Sequence, residues 1–437
     1  MAPDRSTKVS QACSFDYLYN EVLLPFFATL DDNRAFNFSY YLLDALKAGF
    51  SIYSLKIPSL YQFQKRAQAE DYNLSTVYKI GAIPSDNGLR KLLDGVNPEH
   101  LRQGFRELFE HATAQGLLRR YRVWGNYVAA SVDGVQHFQS KSVSCEQCLQ
   151  RKHRDGTTSN YHSMLSAALV KPGLPQVMPL DHEPIIRQDG TTKNDCERNA
   201  IHRLLDHFQK IYSQLDTIFI LDALYGCAPV IERLEAVDNW RYLIGVKDKG
   251  HAHLFEQFDD LDAAGKLKWK DYTRDGISYE VGYANGLSLN LSHADQKTNL
   301  LYARLRDRKG KVTVFSFITN IRLTKQNVAE LLDLGRSRWK IENETFNTLK
   351  NQDYHFEHNY GHGQQHLCTV MAYLMLLAFW VDQLQELANQ TFAALHSELR
   401  TRVKLWDAMR SVFRVVAVDS MAELHGRLID MYCVRLI

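Results

Sequence analysis

This chain of 437 residues has almost no charge of one sign in excess: Lys plus Arg number 52, Asp plus Glu 50, and the formal net charge is +2. That balance excludes a wholly basic protein. Cysteine is also scarce. Seven residues in a chain this long do not make a disulfide scaffold, which favours a reducing compartment. Long apolar runs are missing too. The longest uncharged run, Leu367 to Val381, has fifteen residues, short of the roughly 18–20 needed to span a bilayer, and reads as a buried helix. The N-terminus has no basic stretch followed by an apolar one, so no signal peptide is expected. Internal repeats and low-complexity tracts are absent as well. A soluble protein with no membrane partner is the expectation.

What is present is apolar mass and uneven charge. With 45% hydrophobic residues the chain can bury one large core or two to three smaller ones. From Lys297 to Lys350 twelve basic residues stand against five acidic ones, a local +7; from Leu117 to Asn160 seven stand against three, a local +4. Either segment alone could be an ordinary solvated face, but a positive surface around an acidic site suits a polyanionic substrate.

Residues 1–120 read as helical. Leu101, Phe105, Leu108 and Phe109 recur at helical spacing behind Pro98 at a first turn, and Ser85 to Gly95 makes a shorter helix before them. The pair could be a helix-turn-helix that reads a DNA end, or a plain helical hairpin. Residues 121–249 change to strands and helices. Asn126 to Asp133, Tyr161 to Val170, Gln176 to Ile186, Thr217 to Asp222 and Arg241 to Lys247 read as strands, with an amphipathic helix over Asn194 to Tyr212. Residues 250–320 are β-rich, punctuated by turns such as Arg274-Asp-Gly276 and Arg308-Lys-Gly310. Residues 321–363 carry a further helix over Arg336 to Lys350, and 364–437 are helical. The fold class is α/β: a mixed sheet with a β-rich insertion before the last helix of the core, flanked by helical N- and C-terminal regions.

Three acids stand out. Asp133 closes a β-forming run, Asp222 closes another, and Glu342 lies in the helix, where Trp339, Glu342, Phe346 and Leu349 share one face. A carboxylate among apolar neighbours is costly without a charge partner or a metal. Glu342 could instead be a surface residue paired with Arg338 one turn back, and Glu344 is the alternative ligand. Asp133 and Asp222 could each simply start a turn. Together the three suit hard divalent cations, which take oxygen ligands. Two such ions clamp the attacking and leaving oxygens of a phosphodiester.

Val132-Asp-Gly-Val-Gln-His-Phe138, Ile218-Phe-Ile-Leu-Asp-Ala-Leu-Tyr225 and Arg338-Trp-Lys-Ile-Glu342 resemble the three blocks of the DDE transposases of bacterial insertion sequences. The similarity is to the insertion-sequence-4-like group, with an RNase H-like core and a β-rich insertion before the last acid. It covers about Asn126 to His366. The resemblance implies a two-metal site on Asp133, Asp222 and Glu342, holding two Mg²⁺ that Mn²⁺ replaces. It implies cutting of the element's terminal repeats and strand transfer to target DNA, by a homodimer on DNA in the bacterial cytoplasm at the nucleoid. Alternatives are an inactive, transposase-derived DNA-binding protein and a metal-dependent nuclease without strand transfer. The family's last block often reads Tyr-x2-Arg-x3-Glu-x6-Lys. Here Gly335 replaces the Tyr, and Lys350 lies one residue beyond the expected place, which Leu349 occupies. Those departures mark a divergent branch.

Further groups invite a role. Arg338 and Lys350 are candidate phosphate contacts. Arg304, Arg306 and Arg308 alternate in a predicted hairpin and would meet DNA from one strand face. Cys145-Glu-Gln-Cys148, with His137, His153 and His162 nearby, suits a structural zinc, Zn²⁺, or two buried free thiols. Asp195 and Glu197 could add a carboxylate, though Asn194 and Glu197 fit a capping box. His355, His358, His362 and His366 surround Tyr360-Gly-His-Gly363, whose glycines argue against a metal-binding helix and for a loop.

Overall fold

The computed structural model describes residues 5–32, 40–187, 196–358 and 360–435. Ten strands form one sheet. They are β1 (Val128–Ser140), β2 (Leu149–Lys152), β3 (Thr158–Lys171), β4 (Leu174–Ile185), β5 (Thr217–Leu221), β6 (Trp240–Gly245), β7 (Lys268–Arg274), β8 (Ile277–Asn290), β9 (His293–Arg306) and β10 (Val312–Thr319). Their order is β2-β3-β1-β5-β6-β10-β9-β8-β7, with β4 also paired to β3. The β1–β3 and β3–β4 pairs are antiparallel; β1–β5 and β5–β6 are parallel. This mixed sheet is consistent with an RNase H-like core. All five residues of β5 are buried, as expected of a parallel strand covered on both faces. Phe208 of the helix Glu197–Ile211 packs on Phe219 and Trp240 on one of them.

The β-rich stretch before the last acid is an antiparallel meander, β7 to β10, and β10 pairs with β6. The insertion therefore continues the core sheet at its edge. Asp275 and Gly276 both have positive φ, 54° and 76°, the Asp-Gly signature of a tight hairpin turn that matches strand twist. One element in this stretch escaped the sequence reading. Ala252–Ala263 is a helix, burying Leu254, Phe255 and Phe258.

Leu367–Ala388 is a 22-residue helix, apolar enough by length and composition to cross a membrane, and its apolar window is wholly buried inside the protein. It packs against the helices Leu42–Ser54 and Pro98–Ala114 and against β4. Asp382, which ends the uncharged run, is buried in an ion pair with Lys56 and accepts a hydrogen bond from Tyr354 Oη at 2.6 Å. The N-terminal helices thus share one apolar core with the C-terminal ones. Asp86–Asp94 and Pro98–Ala114 are both helices, as expected, the second N-capped by Asn97, but the first packs mainly on the helices Leu42–Ser54 and Leu367–Ala388. The outer face of the second helix presents Glu99, Glu107 and Glu110 alongside Arg106, an acidic surface that phosphates would be repelled by.

Candidate active site

Asp133 does not close its strand, contrary to the reading of the sequence. β1 runs on to Ser140, still paired with β3. What stops is the pairing with β5, whose last partners are Ser131 and Ile220. Continuing that register by two residues sets Asp133 level with Asp222, just beyond the carboxyl end of β5. Asp133 lies on β1 and Asp222 just past the end of its neighbour β5, where the ladder opens. Asp222 also does what a turn-forming Asp does: its Oδ1 accepts the Leu224 N–H at 2.8 Å and caps the short turn Ala223–Tyr225.

Glu342 comes from the other end of the sequence. The helical stretch that carries it is π-helical over Ile341–Phe346 and α-helical over Asn347–Asn351. Ser131 Oγ donates to the Arg338 carbonyl at 3.1 Å, seating the start of this segment on β1. Arg338 then bridges two acids: Nη1 lies 3.2 Å from Asp133 Oδ2 and Nη2 lies 2.7 Å from Glu342 Oε1. The surface pairing of Glu342 with Arg338 is thus realised, but in a cluster that includes Asp133. Burial pushes the Asp133 carboxyl up to about 7; Arg338 opposes the rise, and the adjacent Glu342 adds to it.

A fourth carboxylate belongs here. Cys196, not Asn194, precedes the helix Glu197–Ile211, and it makes no side-chain cap; Asn194 and Asp195 lie outside the described residues. Glu197 instead turns to the site. A Cβ on Gly134 would collide with its carboxylate, so glycine after Asp133 is what admits it. Tyr225 Oη donates to Glu197 Oε2 at 3.2 Å. Burial raises the Glu197 pKa, the Tyr225 hydroxyl lowers it, and the charge of Asp222 raises it. The Tyr225 hydroxyl is raised by burial and then by Glu197, Asp222 and Asp133, which places three carboxylates around one phenol. Tyr225 stood inside a quoted block without being singled out. Its only sequence signal was its place three residues after Asp222.

The departures in the last block have structural causes. Gly335 packs under Phe317, whose ring atoms a Cβ would meet at 2.8–2.9 Å, so no tyrosine fits there. The extra residue before Lys350 coincides with the π turn. One such turn absorbs one residue, so Lys350 faces as residue 349 would on an unbroken α-helix. Leu349 is buried, and Lys350 pairs with Glu357 at 3.1 Å. The same turn breaks the expected apolar stripe: Phe346 and Leu349 are buried, but Trp339 is 53% exposed under the Arg338 guanidinium. Glu344 carries no contact to the other acids among the described interactions.

A cavity of about 770 Å³ opens beside the acids, lined by Asp222, Lys247, Trp269, Arg304, Arg338 and Trp339 among others. Arg304 and Arg306 are exposed on alternate positions of β9, as expected. Arg308 is not on that strand face: β9 ends at Arg306, and Arg308 donates to the Asp275 carbonyl at 3.2 Å. Of the three, Arg304 alone lines the cavity.

No curated protein matches this chain. Residues 173–380, just under half of the chain and including Glu197, Asp222 and Glu342, match the family model described as a transposase DDE domain, and this stretch is therefore similar to the domain of a DNA-cutting transposase.

Proposed function

We propose that the chain is a DNA transposase that cuts element ends and joins them to target DNA, with Asp133, Asp222 and Glu342 as its metal-binding acids. The observation that carries this reading is the Arg338 bridge between Asp133 and Glu342, 209 positions apart in sequence, at the open end of the strand pair that also carries Asp222. The donor set fits a hard cation. All its members are carboxylates, and burial and Glu342 disfavour the ionised form of Asp133 against the opposing pull of Arg338, a cost that a positive ion relieves. Asp133, Asp222 and Glu342 would hold two Mg²⁺, with Glu197 as an additional oxygen donor and Mn²⁺ as a substitute. When bound, such ions supply charge stabilisation at the attacking and leaving oxygens of a phosphodiester.

The remaining work falls to the chain itself. Arg338 fixes the rotamers of two acids and balances their charge. Lys247 and Arg304 set positive charge on the cavity wall, where a phosphate backbone is held without regard to base sequence. End recognition is assigned to the helical region 1–120, through surfaces other than the acidic face of Pro98–Ala114. The homodimer on DNA belongs to the same proposal.

Cleavage of the native element's end DNA with and without Mg²⁺ tests the reading. Cleavage should need the ion, and the Mg²⁺ concentration for half-maximal rate should fall as pH rises from 6 to 8. Protons and metal compete for Asp133, so each pH unit below its pKa should weaken metal binding up to about tenfold. Metal-independent binding without cleavage would leave the DNA-binding alternative, and cleaved but unjoined ends would leave the nuclease.

Arg304→Ala should weaken DNA binding and lower the salt dependence by about one phosphate contact, a slope change of about 0.9. Arg308→Ala should leave the slope unchanged, since its guanidinium is engaged by the Asp275 carbonyl of the β7–β8 turn. Equal effects of the two would remove the cavity wall from the DNA path.

A further inference from the structure

We propose that Cys145, Cys148, His162 and His362 bind one structural zinc ion, which clamps the loop after the Glu342 helix onto the β1–β3 hairpin. This goes beyond the transposase reading and does not depend on it. The four side chains come from three places: the loop between β1 and β2, the strand β3, and the Tyr360-Gly-His-Gly363 loop. Their ligand atoms all lie within 4.8 Å of one another. The separations are 3.8 Å for Cys145 Sγ to Cys148 Sγ, 3.5 Å and 3.3 Å from the two sulfurs to His162 Nε2, 3.2 Å for Cys148 Sγ to His362 Nε2, and 3.2 Å for His162 Nε2 to His362 Nε2. A tetrahedron with bonds of about 2.3 Å to sulfur and about 2.05 Å to nitrogen has edges of about 3.8 Å, 3.5 Å and 3.3 Å for the S–S, S–N and N–N pairs. The five printed edges agree with these values to within about 0.3 Å, and the sixth, Cys145 Sγ to His362 Nε2, is under 4.8 Å.

Hydrogen bonding alone does not account for this arrangement. The four atoms do not pair off. Each lies within 4.8 Å of the other three, and His162 Nε2 is shared among both sulfurs and the other imidazole. Two thiol protons cannot satisfy that many contacts. Cys148, His162 and His362 are buried, so water does not complete them from outside. The surroundings look like those of a zinc site. The Cys145 N–H points at Cys148 Sγ at 3.4 Å, and His362 Nδ1 lies 2.9 Å from the Gly363 carbonyl, which fixes which nitrogen is offered.

The glycines of the loop now have a reason. Gly361 has φ 143° and Gly363 has φ 71°. A Cβ on Gly363 would strike the Asp94 carboxylate, and one on Gly361 would meet Leu367 Cδ2 at 2.7 Å. Asp94 accepts the N–H groups of Gln364, Gln365, His366 and Leu367 at 2.9–3.0 Å. The loop is therefore held by the N-terminal helices on one side and presents His362 to the sheet on the other. His137 and His153, the other histidines near the Cys pair, go elsewhere: His137 Nδ1 contacts Cys368 Sγ at 3.4 Å, and His153 Nε2 contacts Ser159 Oγ at 2.9 Å.

Metal analysis of the full-length protein, purified without chelators, tests this without any DNA. Zinc should be present at about one ion per chain and fall below about one fifth of that in Cys145→Ser, Cys148→Ser, His162→Gln and His362→Gln. His137→Gln and His153→Gln should keep it. Because a ligand variant can fail to fold, cobalt is exchanged into the wild-type chain as well; the intense visible bands of a tetrahedral site with two thiolates are expected. A folded wild-type chain that takes up neither zinc nor cobalt overturns the proposal. So does a Cys145–Cys148 disulfide in the protein as purified under reducing conditions, or metal that is lost only from the His137 and His153 variants.

Discussion

Asp222→Asn, Asp133→Asn and Glu342→Gln are each expected to lower end cleavage by about 10³-fold or more, equivalent to about 4 kcal/mol of transition-state stabilisation. Binding of end DNA should change by less than about twofold, because each substitution removes an oxygen ligand and no basic group. Asp133→Asn carries a second signature that separates loss of chemistry from loss of fold. The Asp133 pKa stands at about 7, above the ordinary 3.8. A carboxyl raised on folding binds its proton more tightly in the native state. Its favourable contribution is complete below pH 3.8 and is lost as pH climbs through about 7. At pH 8 the metal-free protein therefore pays to keep Asp133 ionised. Asparagine removes that cost, so the variant should unfold at a higher temperature than wild type at pH 8 and show no such advantage at pH 5. Glu342→Gln relieves the same crowding more weakly, since its side chain is 35% exposed. Normal nicking by any of the three variants would remove that residue from the site.

Where the sequence was readable, local pattern and tertiary role coincided. Asp222 ends a buried β-former run, and a strand followed by an acid is what the eye can find without coordinates. The β meander was readable because the turns Arg274-Asp-Gly276 and Arg308-Lys-Gly310 sit between alternating runs. Three things were not. A π turn is a backbone event with no residue signature, so counting 100° per residue put Trp339 on the buried stripe, and the family's spacing left Lys350 one residue beyond its expected place. Glu197 satisfied a local capping pattern, and nothing nearby says that Gly134, sixty-three positions earlier, leaves room for its carboxylate. His362 is two hundred residues from His162; the glycines beside it exclude a helical metal motif, and only the fold shows that they bend a loop toward two cysteines. In the last two cases a contact distant in sequence overrides a local preference.

Arg102→Met is expected to cost about 3–5 kcal/mol of stability, the range for breaking a buried ion pair from one side. Arg102 is buried on the helix Pro98–Ala114 and grips β4. Its Nε lies 2.8 Å from Asp181 Oδ1 and Nη2 2.7 Å from Oδ2, while Nη1 reaches Glu183 Oε2 at 2.9 Å. The helix Glu197–Ile211 joins the network, with Arg203 Nε 2.6 Å from Glu183 Oε1 and His207 Nδ1 2.8 Å from Asp181 Oδ2. Removing Arg102 leaves Asp181, 1% exposed, with the His207 ring and the His182 N–H as its partners among the described residues. The unfolding midpoint should drop by about 3–5 °C. Burial alone would raise the Asp181 pKa; the charge of Arg102 and the hydrogen bonds from His207 and Arg102 overrule it and hold the carboxyl well below the usual range. A depressed carboxyl contributes stability above its unfolded pKa, about 3.8, and loses it as pH falls through the lower native value. In Arg102→Met that depression is gone, and Asp181 takes up a proton at higher pH. The deficit relative to wild type should therefore be largest near pH 7 and shrink toward pH 4. Adding Asp181→Asn to the variant should recover part of the loss at pH 7, because the stranded charge goes with it. A deficit that is independent of pH, with no recovery in the double variant, would mean that Arg102 acts through packing of its stem and not through the ions it holds.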